Sequence, residues 1–138
     1  MSANSLKNSK NSSKFLVLSS SYSSSVLISV SISIPDRSQT FSYCKKLSNI
    51  HIGDSVIGVG ARLFSGCEAL TNVTFNSCIT NISYGMFQHC NSLIRVVLPD
   101  SVKIIEDHAF SGCTSLVSIA IGTGLEYIGG QAFEKCNL

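Results

Sequence analysis

The sequence predicts a stacked-repeat solenoid, mostly β, with short parallel strands from successive units joined into one sheet. Three observations carry that expectation. Phe41, Phe64, Phe87, Phe110 and Phe133 stand 23 residues apart. Cys44, Cys67, Cys90, Cys113 and Cys136 keep the same spacing, each three residues after its Phe. Apolar pairs with period-two alternation recur in the same register: Ile50/Ile52, Val73/Phe75, Val96/Leu98 and Ile119/Ile121. A fixed period of 20–50 residues is the signature of solenoids and arrays.

Each part of the unit has a physical reason. In Leu93–Leu98, Val96 and Leu98 point one way and Arg95 and Val97 the other, as a strand requires. Its equivalents one unit away pair with it at roughly 4.8 Å, giving a parallel sheet. Pro99, Asp100 and Ser101 form a polar turn, with short side chains able to bond nearby backbone; Asp54, Ser77 and Thr123 are equivalents of Asp100. A short second strand runs from Val102 to Ile105, with both ends inward. The columns Val56/Ile79/Val102/Leu125 and Val59/Ile82/Ile105/Ile128 repeat it. From Asp107 to Cys113 a one-turn helical or 3-10 segment is expected, because Phe110 and Cys113 then share a face.

The domain plan has three parts. Residues 1–25 hold eleven serines and are expected to be a disordered Ser/Asn/Lys-rich leader. Residues 26–40 form an irregular capping coil, its strand read from Ile28, Val30, Ile32 and Ile34 and ended by Pro35. That coil is expected to be shortened, since Pro35 lies six residues before Phe41 while Pro99 lies eleven before Phe110. Residues 41–138 are the solenoid of 23-residue units, whose repeat core is Phe64, Cys67, Leu70, Phe87, Cys90, Leu93, Phe110, Cys113, Leu116, Phe133 and Cys136. One unit cannot bury these columns alone, so stability comes mainly from neighbour contacts.

The stretch LIRVVLPDSVKIIEDHAFSGC, Leu93 to Cys113, resembles the BspA-type leucine-rich repeat. LVSIAIGTGLEYIGGQAFEKC, Leu116 to Cys136, matches again with Gly122 in the place of Pro99; Leu70 to Cys90 is looser, with Met86 before the Phe and no Pro. The resemblance implies a leucine-rich-repeat solenoid. It also implies a surface-antigen-like protein, on the cell surface or secreted, that binds host or matrix proteins. The sequence itself shows no clear signal peptide, since Phe15–Leu18 is a run of four apolar residues before Ser19, and no segment near 18 apolar residues that could insert into a membrane.

The residues that look chemical are read as packing. Five of six cysteines form one column, and free cysteine is among the most buried residue types. Cys78 stands out of register in a turn column and is the expected exposed thiol. No C-x-x-C or other metal-ligand spacing occurs, so no metal or cofactor is expected. His51, His89 and His108 occupy three different columns, without a carboxylate or thiol partner at ligand spacing, and Glu106 reads as a lone surface acid. No nucleophile elbow, phosphate loop or Rossmann fingerprint is present, so no catalytic residue is assigned and an enzyme is not expected. Three N-x-[ST] sites, at Asn11, Asn72 and Asn81, carry little weight in a chain so rich in Ser and Asn.

The net charge is +2 and only 13% of residues are charged, which predicts no broad basic footprint and no nucleic-acid partner. The candidate protein-binding face is the outward side of the sheet, Asn49, His51, Asn72, Thr74, Arg95, Val97, Ser118 and Ala120. The expectation is a non-enzymatic interaction or adhesion module using that face. The alternative is a structural repeat piece that stacks or self-associates through an uncapped C-terminal end, where strand edges and apolar side chains lie open.

Overall fold

The structure, a computed structural model, describes residues 16–17, 25–29, 39, 41–54, 56 and 58–138. Nine short strands are described: β1 (Leu16–Val17), β2 (Ser25–Ser29), β3 (Asn49–Ile52), β4 (Asn72–Thr74), β5 (Asn81–Ile82), β6 (Arg95–Val97), β7 (Ile104–Ile105), β8 (Ser118–Ala120) and β9 (Tyr127–Ile128). They stack coil on coil. In β3–β4 the partners are Asn49↔Asn72, Ile50↔Val73 and His51↔Thr74, each 23 residues apart. β6 and β8 pair with the same offset, Arg95↔Ser118 to Val97↔Ala120, and β4 lies alongside β6. The second extended pieces form their own parallel sheet, β5–β7–β9.

The N-terminal coil differs from expectation in position. β2 pairs in parallel with β3, Ser25↔Asn49 to Ile28↔Ile52, an offset of 24 residues. The coil that starts at β2 is therefore near full length and not shortened. Val26, Leu27 and Ile28 are consecutive apolar residues ahead of the alternation that begins at Ser29, so period-two reading leaves the start of the strand undetermined. β1 pairs antiparallel with β2, Leu16↔Ser29 and Val17↔Ile28. Of the expected leader the described residues are β1 and Ser25; of the expected capping coil they are Val26–Ser29 and Gln39. The remainder of both lies outside the described residues, including the alternating segment from Val30 to Ile34.

The core is a set of ladders. The five phenylalanines stack with ring centroids 5.7, 5.7, 5.4 and 5.4 Å apart and planes within 15°. Each such pair adds about 0.5–1.5 kcal/mol beyond the area it buries. Beside them, each in-register cysteine thiol from Cys67 onward donates to the carbonyl of the Phe one coil back: Cys67 to Phe41 at 3.1 Å, Cys90 to Phe64 at 3.3 Å, Cys113 to Phe87 at 3.1 Å and Cys136 to Phe110 at 3.2 Å. The column thus packs and also satisfies a carbonyl per coil. All six cysteines are free, with Cys67, Cys90 and Cys113 buried and Cys78 exposed.

The segment expected as a helical or 3-10 turn has a more specific form. Amides alternate in their targets. Ala109, Ser111 and Cys113 donate back three residues within the coil, to Glu106, His108 and Phe110. His108, Phe110 and Gly112 donate forward to the next coil, to Gly130, Ala132 and Glu134. The first set has the 3-10 spacing, but the second requires every other amide to face a neighbour. Left-handed backbone at His108 and Gly112 achieves this. The same conformation recurs in two columns, Gln39/Arg62/Gly85/His108/Gln131 and Tyr43/Gly66/His89/Gly112/Lys135. The result is a ladder of stacked turns, with no helix among the described residues.

Candidate functional site

The outward face of the sheet is built by the strand pleat. In β3 and β4, burial alternates so that Asn49, His51, Asn72 and Thr74 are exposed while Ile50, Ile52 and Val73 are buried. In β6 and β8 the same alternation leaves Arg95, Val97, Ser118 and Ala120 outside. The eight candidate residues therefore lie on one side of the coils, in two columns, as the period-two reading places them.

Sequence reading missed a third outward column: Ser48, Thr71, Ile94 and Val117. Thr71, Ile94 and Val117 are exposed. These residues immediately precede the strands, where the alternation had not yet been applied. Strict alternation would turn Ile94 and Val117 inward beside the outward Arg95 and Ser118, so the pattern carried no signal for this column.

With that column included, the face divides into two chemically different parts. Over β3 and β4 the polar groups already bond one another. His51 Nδ1 lies 2.7 Å from Thr74 Oγ1, Asn49 Nδ2 donates to Ser48 Oγ at 2.9 Å, and Thr71 Oγ1 donates to the Ser48 carbonyl at 3.1 Å. Over β6 and β8 the exposed groups are apolar: Val97 at 65% exposure, Val117 at 54% and Ile94 at 48%, with Ala120 beside them. Arg95 stands among these residues with no ion-pair partner among the described residues. A cation with free donors inside an apolar surround is a composition enriched in protein interfaces.

Two polar residues that resemble surface groups are structural. Asn76 replaces the repeat's proline and is buried, where its Nδ2 donates to the carbonyls of Gly53 and, at 3.0 Å, Val56. Its Oδ1 accepts from the amides of Cys78 at 2.6 Å and Ile79 at 3.1 Å. Glu106, expected as a lone surface acid, is half-buried and bridges to the coil before it: Asn81 Nδ2 at 2.9 Å and the Tyr84 amide at 2.8 Å donate to its carboxylate. The three histidines are not brought together. His51 is on the sheet face, while His89 and His108 occupy different left-handed columns on the turns. Among the described residues, no group of three or more His, Cys, Asp or Glu side chains is placed to hold a metal ion.

The last coil is open in this chain. Ile121, Tyr127 and Ile128 are exposed, and Leu125 and Phe133 are only partly buried, whereas their equivalents one coil back, Leu98, Ile105, Val102 and Phe110, are buried. Tyr127 has an exposed equivalent in Ile104 and follows the outward side of β7–β9.

The parallel ladders, the 23-residue register and the stacked Phe and Cys columns define a leucine-rich-repeat solenoid. The chain belongs to the BspA-type leucine-rich-repeat family, whose pattern matches residues 33–138 as six copies. It is similar to the crystal structure of a leucine-rich repeat protein from Bacteroides ovatus, at 35% identity and a TM-score of 0.69 over 72% of this chain. It is also similar to a leucine rich cell surface protein from Faecalibacterium prausnitzii, at 25% identity and a TM-score of 0.54 over 72% of this chain. The pneumococcal vaccine antigen PcpA shares the fold, at 18% identity and a TM-score of 0.68 over 83% of this chain. This chain spans 26%, 32% and 31% of those proteins' own lengths. No curated protein sequence matches it. Membership of this family places the chain among protein-interaction repeat modules.

Proposed function

We propose that this chain is a non-enzymatic adhesion or interaction module that binds a protein partner through the outward sheet face, with the apolar part over β6 and β8 as its anchor. The observation that carries the reading is the grouping of Ile94, Val97 and Val117, each about half exposed or more, around Arg95, which has no ion-pair partner among the described residues. Exposed apolar groups gathered in one patch mark interaction sites more often than scattered ones do. The described part of the face is small, so affinity would be modest for one chain and would grow where several copies act together. A display site on the cell surface agrees with the description of the Faecalibacterium prausnitzii relative as a cell surface protein.

The test is a photo-crosslinking residue placed at position 97, compared with the same residue at position 49, in producing cells and in their mixture with host matrix proteins. The expected result is a discrete adduct from position 97 and little from position 49. Equal labelling from both positions, or none from either, rejects the reading.

A second reading is supported by the open last coil: Ile121, Ile128 and Phe133 would be covered by a further coil or a second copy stacked on it. Sedimentation across a hundredfold concentration range separates the two. A concentration-dependent dimer abolished by Ile128→Lys supports stacking, and a monomer throughout removes self-association.

A further inference from the structure

The stacked turns carry a cleft of about 260 Å³ built from three successive coils. Gln39 and Tyr43 come from the first, Arg62 and Ser65 from the second, and Gln88 and His89 from the third. Four of these six, Gln39, Tyr43, Arg62 and His89, have left-handed backbone, with φ of 70°, 59°, 54° and 60°. That conformation strains any residue with a side chain and suits glycine. The chain does place glycine elsewhere in the same columns, at Gly66, Gly85 and Gly112. Long planar side chains are thus held around the cleft where glycine would relieve the strain, a pattern associated with ligand clamps. His108, Gln131 and Lys135 continue the same columns beyond the cleft, so strain alone does not define the site. What distinguishes the cleft is the convergence of rings, amides and a guanidinium on one cavity.

Its walls are chemically specific. The Tyr43 ring lies across Gly66, where a Cβ would approach a ring carbon to 2.5 Å, so the missing side chain lets the ring lie against the coil. The residue stays 68% exposed, offering an apolar ring with a polar tip. Arg62 has its guanidinium carbon 5.1 Å from the centre of the Tyr84 ring, and Nη2 donates weakly to Tyr84 Oη at 3.4 Å. Its Nε is shielded from solvent and has no hydrogen-bond partner among the described residues. Among the described residues no carboxylate lines the cleft. The Arg62 charge is therefore braced by an aromatic ring and not neutralised by an acid, which favours a ligand carboxylate with two acceptor oxygens. Gln39 and Gln88 each supply a donor and an acceptor, the pairing that neighbouring hydroxyls require.

We propose that this cleft is a binding site for an acidic sugar unit. Its carboxylate meets Arg62, its hydroxyls meet Gln39, Gln88 and Ser65, and one face of the ring lies on Tyr43. The site is separate from the sheet face and does not depend on the reading given for it.

The test is an NMR titration of the full chain with galacturonic acid and N-acetylneuraminic acid as acidic sugars, galactose as the ring without the acid, and acetate as the acid without the ring. At least one acidic sugar is expected to bind in the millimolar range, with shifts confined to the Tyr43, Arg62 and Gln88 region. Galactose and acetate are each expected to bind about tenfold or more weakly. Arg62→Gln should bring the acidic sugar down to the level of galactose, and Tyr43→Ala should bring it down to that of acetate. Tyr43 is exposed, so its variant should retain the wild-type melting curve and keeps the test decisive if Arg62→Gln unfolds. Failure of both acidic sugars at tens of millimolar, equal binding of acidic sugar and acetate, or shifts away from these residues would overturn the proposal.

Discussion

The two parts of the outward face share one backbone and differ in what they leave available. Over β3 and β4, His51 is bonded to Thr74 and Asn49 to Ser48. Over β6 and β8, Ile94, Val97 and Val117 stand open around Arg95. The repeat period dictates which positions point outward, because a strand must alternate and a coil must pair with its neighbour. It does not dictate what stands there. Apolar inward columns thus carry a face whose chemistry changes from one coil to the next.

If the two parts rest on a common core, the largest effect comes from cutting that core at its middle. Phe87 stacks on Phe64 and Phe110 and is fully buried, and Phe75 meets its ring edge-on at 6.0 Å. Phe87→Ala should cost about 3–5 kcal/mol. Urea unfolding followed at a probe in each part should show both lowered together. Loss of one part alone would mean that the coils are not a single cooperative unit.

Next in size is the buried Asn76, which lies where β4 gives way to β6. Asn76→Ala removes four hydrogen bonds and leaves the Gly53 and Val56 carbonyls and the Cys78 and Ile79 amides without that partner. The expected loss is roughly 2–4 kcal/mol, less where water reaches the freed groups. Asn76→Pro restores the repeat's usual residue. It should recover only part of that loss, since proline supplies none of the four bonds. A full recovery in the same unfolding measurement would show that the asparagine network adds nothing beyond turn shape.

These residues also show how far the sequence could be read. The parallel sheets, their 23-residue register and the inward columns were legible, because a period repeated without insertion leaves one way to stack apolar ladders. Two features were not. The alternating amide targets of the turns depend on left-handed backbone at positions occupied by Tyr, Arg, Gln, His and Lys as well as Gly, and only Gly66, Gly85 and Gly112 hinted at it. The role of Asn76 was hidden because a departure from the repeat pattern reads as looseness until its four partners are seen. On the outward sheet face, the columns of Asn49 and His51 followed from alternation. The column of Ile94 lies just outside the strand and needed the observed exposure.

The comparison becomes functional when one charge is placed on each part. Val97→Asp and Asn72→Asp both alter exposed side chains, so each should change stability by less than about 0.5 kcal/mol. Against a partner captured through position 97, Val97→Asp should weaken binding about tenfold or more, roughly 1.4 kcal/mol. Asn72→Asp should weaken it no more than about twofold on the same scale. Equal effects in a direct binding titration would remove the distinction between the two parts. A larger effect from Asn72→Asp would reverse it.

The smallest expected difference is between the two ends of the cysteine ladder. Burial raises the Cys90 thiol, and raises Cys113 to about 12, so neither should react while the chain is folded. The end rungs are only partly buried and should diverge. The Cys67 thiol beside Cys44 lowers it to about 7, against the burial that opposes ionisation. Cys67 has one proton and two acceptors, the Phe41 carbonyl at 3.1 Å and the Cys44 sulfur, so it turns to the sulfur as that sulfur gains charge. At the other end no thiol stands in that role, and burial raises Cys136. Alkylation at neutral pH should therefore label Cys44 ahead of Cys136. The Cys44 rate should rise through about pH 7 and then level, while the Cys136 rate keeps climbing above the ordinary thiol value of 9.0. Mass spectrometry of peptides from each end reads both profiles in one experiment. Overlapping profiles would show that Cys67 keeps its proton on the Phe41 carbonyl throughout, leaving the two ends of the ladder equivalent.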